Sequence, residues 1–409
     1  MKKLVKILSL VLVAAMIFAF AGCGGNDDTG TTKDSGGKTD STTITLENLK
    51  VGVIHIGDPG DGAGYSYAHD LGIVAMQENL GLTDNQIVRK LNVADDDAAA
   101  TKTAIEECLE EGCNLIFGTS WDYGETMLTL AEEYPEVLFS HGSGVDEASA
   151  NTNNYFGRIY QPRYLSGIAA GLKTQTNKVG FVAALGTENS EVTGGLDAFA
   201  KGVAAVNKDA QVYVKVTNSW FTVEGEKQAA EALIDLGCDV IGQHCDTTAP
   251  QLAAENAGVW GCGYNSDMTA AAPTAHLTAP VWNWGIYYTK AAKAAIDGEW
   301  TELGNYFGGM DENFVALSAL SVNCADGTKE IIEQVGQLIA DGTFDVFDGQ
   351  QVSVDEEGKV TLVEEEMLDN KGNVIVEAGG ECLSDATIRS GINWNYENIA
   401  GVSALTTEE

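Results

Sequence analysis

Basic residues are scarce in this chain: 23 Lys and Arg stand against 60 Asp and Glu in 409 residues, a formal net charge of −37 at pH 7. Nucleic-acid binding needs clustered Lys and Arg to displace condensed counterions, so nucleic acid is excluded as a partner. The same imbalance opposes lying flat on an anionic lipid surface. No GxGxxG and no GxxxxGK[ST] occurs, which removes the usual phosphate cradles; Gly60, Gly62 and Gly64 follow an apolar run, but Asp58 and Asp61 between them would repel a phosphate. GxSxG is missing too, from both GTSWDYG and HGSGVD, so no nucleophile elbow is expected. The eight cysteines include no CxxC pair. With Cys23 set aside, the odd remainder in apolar contexts reads as buried free thiols, a bond between Cys238 and Cys262 being the open alternative. His244 and Cys245 have no third ligand at a useful spacing, so neither a metal nor another cofactor is expected.

What is present is an ordinary globular body. Hydrophobic residues make up 44% and charged residues 20%, which excludes wholesale disorder and leaves room for two or three domains. At the N-terminus Lys2, Lys3 and Lys6 precede a nearly unbroken apolar run from Leu4 to Ala21 that ends in Phe20-Ala21-Gly22-Cys23. A basic start, a short apolar stretch and small residues before Cys describe a lipoprotein leader over 1–22, with Cys23 lipidated. The run is short for a membrane span. Residues 23–47 are Gly, Ser, Thr, Asp and Lys with little apolar content, a flexible tether. The expected place is outside the cytoplasm, held to the cell membrane by lipid.

From Lys50 onward apolar β-branched runs alternate with helical patterns. KVGVIHI leads into a helix from about Tyr65 to Leu80, and QIVRKLNV, NLIFG and VLFSHG continue the series. After Tyr160 the order restarts with KVGFVAAL, QVYVKVTN, DVIGQH and WGCGYN, each separated by a helical stretch. This alternation predicts an α/β protein of two doubly wound lobes, parallel sheets flanked by helices and joined by a hinge. Lobe 1 is assigned to 48–159, with about 282–325 returning to it. Lobe 2 is assigned to 160–281, with about 326–409 added.

Ligands of open α/β sheets bind outside the carboxyl ends of the strands. The loops there hold five of the seven Trp, namely Trp121, Trp220, Trp260, Trp282 and Trp284, beside Asp, Asn, Gln and Ser. Aromatic faces with short polar side chains suit a flat polar ligand.

The opening VGVIHIGDPGDGAGYSYAHDLG, the segments LAEEYPEVLFSHGSG, NYFGRIYQPRYLSGIAAG, GYNSDM and LTAPVWNWGIYY, and the late DNKGNVIVEAG resemble the BMP (basic membrane protein) family of substrate-binding lipoproteins of ABC importers, from about Lys50 to Gly401. That resemblance implies two lobes of the type I periplasmic-binding-protein fold closing on a purine base or nucleoside, with the permease and ATPase subunits of an importer as partners. The family's Asp-x-x-x-Phe-Asn stretch falls on Asp61, Tyr65 and Ser66, with Tyr67 and His69 adjoining. The second stacking ring falls on Trp220, an acidic base contact near Trp121 and Asp122, and a later carboxylate contact on Asn265 or Asp267. Where nucleoside receptors place a ribose-contacting Lys this chain has Trp282, which favours a free nucleobase such as adenine.

Each of these residues also has a plain structural reading. Tyr65 and Tyr67 could pack on the first strand, His69 could be a core histidine, and Asp267 could cap the following segment. Two further functions are carried as alternatives: a purine sensor acting through a receptor, and a nucleoside-cleaving hydrolase built on Asp58, Asp61 and Asp122 as paired carboxylates. The favoured mechanism is capture by closure of the lobes around a ring stacked between Tyr65 and Trp220.

Overall fold

The computed structural model describes residues 43–355 and 357–405; the leader, Cys23 and the tether up to residue 42 lie outside the described residues. Lobe 1 opens with β1 (Val51–Ile54), α1 (Tyr65–Leu80), β2 (Ile87–Lys90), α2 (Ala98–Glu110), β3 (Leu115–Gly118), α3 (Gly124–Glu133), β4 (Leu138–Gly142) and β5 (Thr152–Gly157). Every residue of β1 and β3 is buried, as expected for strands covered by helices on both faces, and the apolar runs are correspondingly unbroken. The chain then crosses to lobe 2 through α4 (Tyr160–Lys173), which leads into β6 (Lys178–Ala183), α5 (Ser190–Val206), β7 (Gln211–Val216), α6 (Val223–Asp235), β8 (Val240–His244), α7 (Ala249–Ala257), β9 (Trp260–Cys262) and β10 (His276–Thr278).

The remainder is threaded back and forth. A short strand β11 (Pro280–Trp282) leads to α8 (Trp284–Asp297), α9 (Trp300–Leu303), β12 (Tyr306–Gly308) and β13 (Val315–Leu317). Strand β12 pairs with β5, so the lobe 1 sheet runs β12-β5-β4-β3-β1-β2. Antiparallel pairing of β11 with β13 joins the second and third of the three connections that pass between the lobes. Next come α10 (Thr328–Ala340), the hairpin of β14 (Gln350–Val354) and β15 (Val360–Glu364), the pair β16 (Met367–Leu368) and β17 (Val374–Val376), α11 (Asp385–Ser390) and β18 (Ile399–Ala404). Strand β18 lies parallel to β7, and the lobe 2 sheet runs β10-β9-β8-β6-β7-β18.

Both sheets share the doubly wound order 2-1-3-4-5, with all of their pairings parallel. Each lobe has its own apolar core, one built around Phe117, Phe139 and Tyr155 and the other around Phe181, Phe199 and Leu233. Helices α4 and α5 approach closely through glycines: a Cβ on Gly167 would lie 2.1 Å from the Phe199 carbonyl oxygen, and one on Gly202 would lie 2.1 Å from that of Tyr164. Cys238 and Cys262 are buried free thiols, as are Cys108, Cys113 and Cys245, so the bond weighed between Cys238 and Cys262 is not formed. No helix among the described residues is long and apolar enough to cross a membrane.

Candidate ligand-binding cavity

Doubly wound sheets bind ligands where the strand order reverses, at the carboxyl ends beside β1 and β3 in lobe 1 and beside β6 and β8 in lobe 2. The two sets of loops face one another and enclose a cavity of about 270 Å³. Lobe 1 contributes Tyr65, Ser120, Trp121 and Ser143, and lobe 2 contributes Glu191, Trp220, Asp246 and Tyr264. The lobes touch directly at its edge. The Gly64 amide donates to Ser266 Oγ at 2.9 Å, and the Tyr65 amide donates to the Asp246 carbonyl at 3.3 Å.

Four aromatic rings frame the space, those of Tyr65, Trp121, Trp220 and Tyr264. Tyr65 opens α1; its hydroxyl donates to the Thr119 carbonyl, and its ring stands edge-on to His69 with centroids 4.3 Å apart. Trp220 sits in the loop after β7 and is only 8% exposed, which is unusual for so large a side chain on a connecting loop. Trp121 begins the single 3-10 turn after β3.

The polar side of the cavity is carried by buried acids with little compensation. Glu191 stands in the first turn of α5, a helix capped by the Asn189 side chain accepting from the Val192 amide at 3.0 Å. Burial pushes its carboxyl up to about 8, and the Arg163 guanidinium works in the opposite direction. Its Oε2 has no hydrogen-bond partner. Asp246 is raised well above the carboxylate range by burial first and by Glu226 second, while the Asn265 side-chain amide donates to its Oδ1 at 3.1 Å. Behind them His244 lies 3.5 Å from Glu191 and is held neutral by burial and by Arg163. Arg163 itself lies 4.0 Å over the Tyr264 ring, with Nε and Nη2 unpaired. Space for this group exists because Gly195 has no side chain; a Cβ there would meet His244 Nδ1 at 2.5 Å. Near neutral pH the Glu191 carboxyl therefore holds its proton, and burial disfavours the charged form of Asp246 as well. Unpaired buried polar atoms carry a desolvation penalty that a ligand with matching donors and acceptors relieves.

The residues singled out in the sequence divide into three groups. Tyr65, Trp121 and Trp220 line the cavity together. Asn265 and Trp282 are buried behind its walls, and Asp122 follows Trp121 at the surface. The partly covered Asp122 carboxyl is held above its ordinary value by desolvation and by Asp95, with a hydrogen bond from Trp220 acting against them. Trp282 Nε1 donates to Asn265 Oδ1 at 3.0 Å, and the Trp282 ring stacks on Trp284 at 4.2 Å, which stacks on His69 at 4.1 Å. Asp61, Ser66, Tyr67 and Asp267 are outside the lining. Asp61 is exposed in a turn, Ser66 Oγ accepts from the Gly57 amide at 2.9 Å, and Tyr67 is half-buried on α1. Asp267 accepts from the amide and hydroxyl of Thr269 at 2.8 and 2.6 Å, closing a turn rather than capping a helix, since none follows before β10.

Glu191, Asp246, Tyr264, Ser120 and Ser143 were not singled out from sequence. All five lie in or one residue beyond the loops after the strands, but an acid at a helix start reads as an ordinary cap-region residue. Only the opposing lobe reveals that its carboxyl is enclosed.

Comparison with known proteins then places the chain. The family model for ABC transporter substrate-binding proteins of the PnrA-like kind, Bmp, matches residues 49–344. The chain belongs to the Bmp family. That match ends before the DNKGNVIVEAG stretch. The chain is 36% identical over 303 residues to a purine-binding protein of Brucella abortus, covering 74% of this chain and 84% of that one. It is 32% identical over 318 residues to a putative ABC transporter glucose-binding protein of Haloferax volcanii, covering 78% of each. Among solved structures, a solute-binding protein of an Aeropyrum pernix ABC transporter is 17% identical with a TM-score of 0.60, covering 73% of this chain and 92% of that one. A transcriptional activator from Bacillus halodurans is 22% identical with a TM-score of 0.59, covering 72% of this chain and 99% of that one. Both structures share the fold. As a Bmp protein the chain is a substrate-binding component of an ABC transporter, of a family that works outside the cytoplasm and binds its substrates rather than transforming them.

Proposed function

We propose that this Bmp protein captures a purine between its lobes, a free nucleobase in preference to a nucleoside, and delivers it to the permease of an ABC importer while a lipid on Cys23 holds it to the membrane. The observation that carries the reading is the cavity itself, where Trp220 and Tyr65 on opposite lobes flank buried acids whose charged forms burial disfavours. Flat rings stack on aromatic faces, and base-to-aromatic stacking contributes roughly 1–3 kcal/mol per base in other proteins. Carboxyls that keep their protons offer a donor and an acceptor together, which matches a neutral heterocycle edge.

One observation supports a base over a nucleoside. Trp282 occupies the ground behind Asn265 where the family's nucleoside receptors place a Lys, and its indole is already committed to Asn265 and Trp284. The relative from Brucella abortus, described as purine-binding, agrees with the reading, and the one from Haloferax volcanii makes glucose the necessary control.

Isothermal titration of the purified mature chain with adenine, guanine, hypoxanthine, adenosine, guanosine, inosine and glucose tests the proposal. Saturable binding of a base, tighter than of its nucleoside, is expected. Binding of glucose alone, or of none of these, would overturn it. Accumulation of an unprocessed precursor in the presence of globomycin checks the lipid anchor at Cys23.

A further inference from the structure

The chain past residue 344, where the family match ends, is folded into lobe 2 at many points. Lys201, 2% exposed on α5, donates from Nζ to the carbonyls of Val346, Asp348 and Gln350 at 2.8, 3.3 and 2.9 Å. The Tyr396 amide donates to Asp197 Oδ1 at 2.8 Å, and β18 completes the sheet beside β7. Ile388 and Ile392 are buried in the lobe 2 core.

From that base α11 reaches across to lobe 1. Arg389 donates from Nη2 to the carbonyl of Gly144, just after β4, and its guanidinium carbon lies 5.3 Å from the centroid of Phe307 on β12. Asp385 pairs with Arg158 at 2.7 Å, where the chain leaves lobe 1. A second cavity of about 420 Å³ lies beneath α11 and adjoins the first, with Trp121, Ser143 and Glu191 common to both and Ile388 and Arg389 forming its wall. The contact between Arg389 and Gly144 thus spans the lobes beside the ligand cavity, and separation of the lobes there must break it.

We infer that Arg389 is a positioning residue of the binding site, the working end of a C-terminal strap that ties lobe 2 to lobe 1 and biases the cleft toward its closed form. A bond made only when the lobes are together shifts the open and closed populations by its own free energy. A hydrogen bond from a charged donor is strong enough to change that ratio by about tenfold. The Asp385–Arg158 pair is more exposed and adds less.

The test uses the full mature chain with Arg389→Ala and Arg389→Lys. Small-angle scattering without ligand reads closure directly, and stopped-flow tryptophan fluorescence reads the release of adenine. Arg389→Ala is expected to enlarge the radius of gyration and to speed release about tenfold, with Arg389→Lys recovering part of both because it keeps a charged donor. Helix α11 remains anchored by Ile388 and Ile392, so the Ala variant should fold; if circular dichroism says otherwise, Arg389→Gln carries the same test. A radius unchanged within error together with a release rate within twofold of wild type would overturn the inference. The release measurement rests on the purine proposal, whereas scattering does not. If the wild type binds no purine, that proposal fails, and an unchanged radius in the Ala variant then overturns the strap by itself.

Discussion

Glu191→Gln separates the chemistry of the cavity from its shape. The Glu191 side chain is 12% exposed, and burial moves its carboxyl from an ordinary 4.5 to about 8. Below pH 4.5 both folded and unfolded chains hold the proton, and the group contributes nothing to the pH dependence of stability. Between pH 4.5 and 8 the folded chain retains a proton that the unfolded chain has released, so stability falls as pH rises, by about 1.4 kcal/mol per pH unit for one proton. Above 8 the folded state ionises too and the loss levels off. The full span is on the order of 5 kcal/mol, and relaxation of the cavity around the ion will reduce it. The amide of Gln does not titrate, so the stability of the variant minus that of wild type should grow by several kcal/mol from pH 5 to pH 8. Urea unfolding of both proteins, without ligand, at half-unit pH steps measures this, and comparing the two cancels the contribution of Asp197, which burial also raises, while Asp246, raised chiefly by burial and only in small part by Glu191, largely cancels. A difference that stays constant from pH 5 to 8 would refute the reasoning. The amide also reproduces the donor and acceptor of a protonated carboxyl, so adenine binding at pH 7 should survive in Glu191→Gln and weaken about tenfold or more in Glu191→Ala.

Three further outcomes follow from the same geometry. Trp220→Ala should weaken purine binding at least tenfold by calorimetry, with Trp220→Phe retaining much of it, since stacking of a base on one ring is worth roughly 1–3 kcal/mol; an unchanged affinity for the Ala variant removes Trp220 from the stack. Trp282→Lys should raise the affinity for adenosine relative to adenine about tenfold while lowering the melting temperature, because it trades a stacked indole for a cation beside Asn265 and Asp246; a folded variant with the wild-type ratio counts against the base-over-nucleoside argument. Because Cys238 and Cys262 are unbonded, excess reductant should leave the melting temperature of the purified protein unchanged, and a fall of several degrees would show a bond.

Apolar strands were legible in the sequence, and polar or weakly patterned ones were not. KVGVIHI and KVGFVAAL are largely apolar runs with β-branched residues and contain β1 and β6. Strand β5 is written Thr-Asn-Asn-Tyr-Phe-Gly, yet all six residues are buried. Asn153 is acceptable there because its Oδ1 receives the Tyr287 hydroxyl at 3.0 Å from α8, a partner more than a hundred residues away. Strand β18, with Gly, Ala and Ser among its residues, has weak intrinsic preference and exists through its pairing with β7. The cavity shows the same limit. Aromatic residues on loops are conspicuous in sequence, so Tyr65, Trp121 and Trp220 could be picked out, while a carboxyl such as Glu191 acquires its character only when the opposite lobe excludes water from it. Ser66 and Asp267 show the reverse, polar residues at suggestive positions whose hydrogen bonds are spent on their own backbone surroundings.

The order of strands has a consequence for how the molecule assembles. Lobe 1 receives its last strand, β12, only after all five strands β6 to β10 of lobe 2 have been traversed, and lobe 2 receives β18 only at the far end of the chain. Pairings at such sequence separation are slow to form because the intervening loop must first be closed. Neither lobe is therefore a severable module: a fragment ending before residue 306 would leave the β5 edge open, and one ending before residue 399 would do the same to β7. Completion of the sheets awaits β18, so a newly made molecule stays unfinished, with its edges unpaired, until the chain has been made through residue 404.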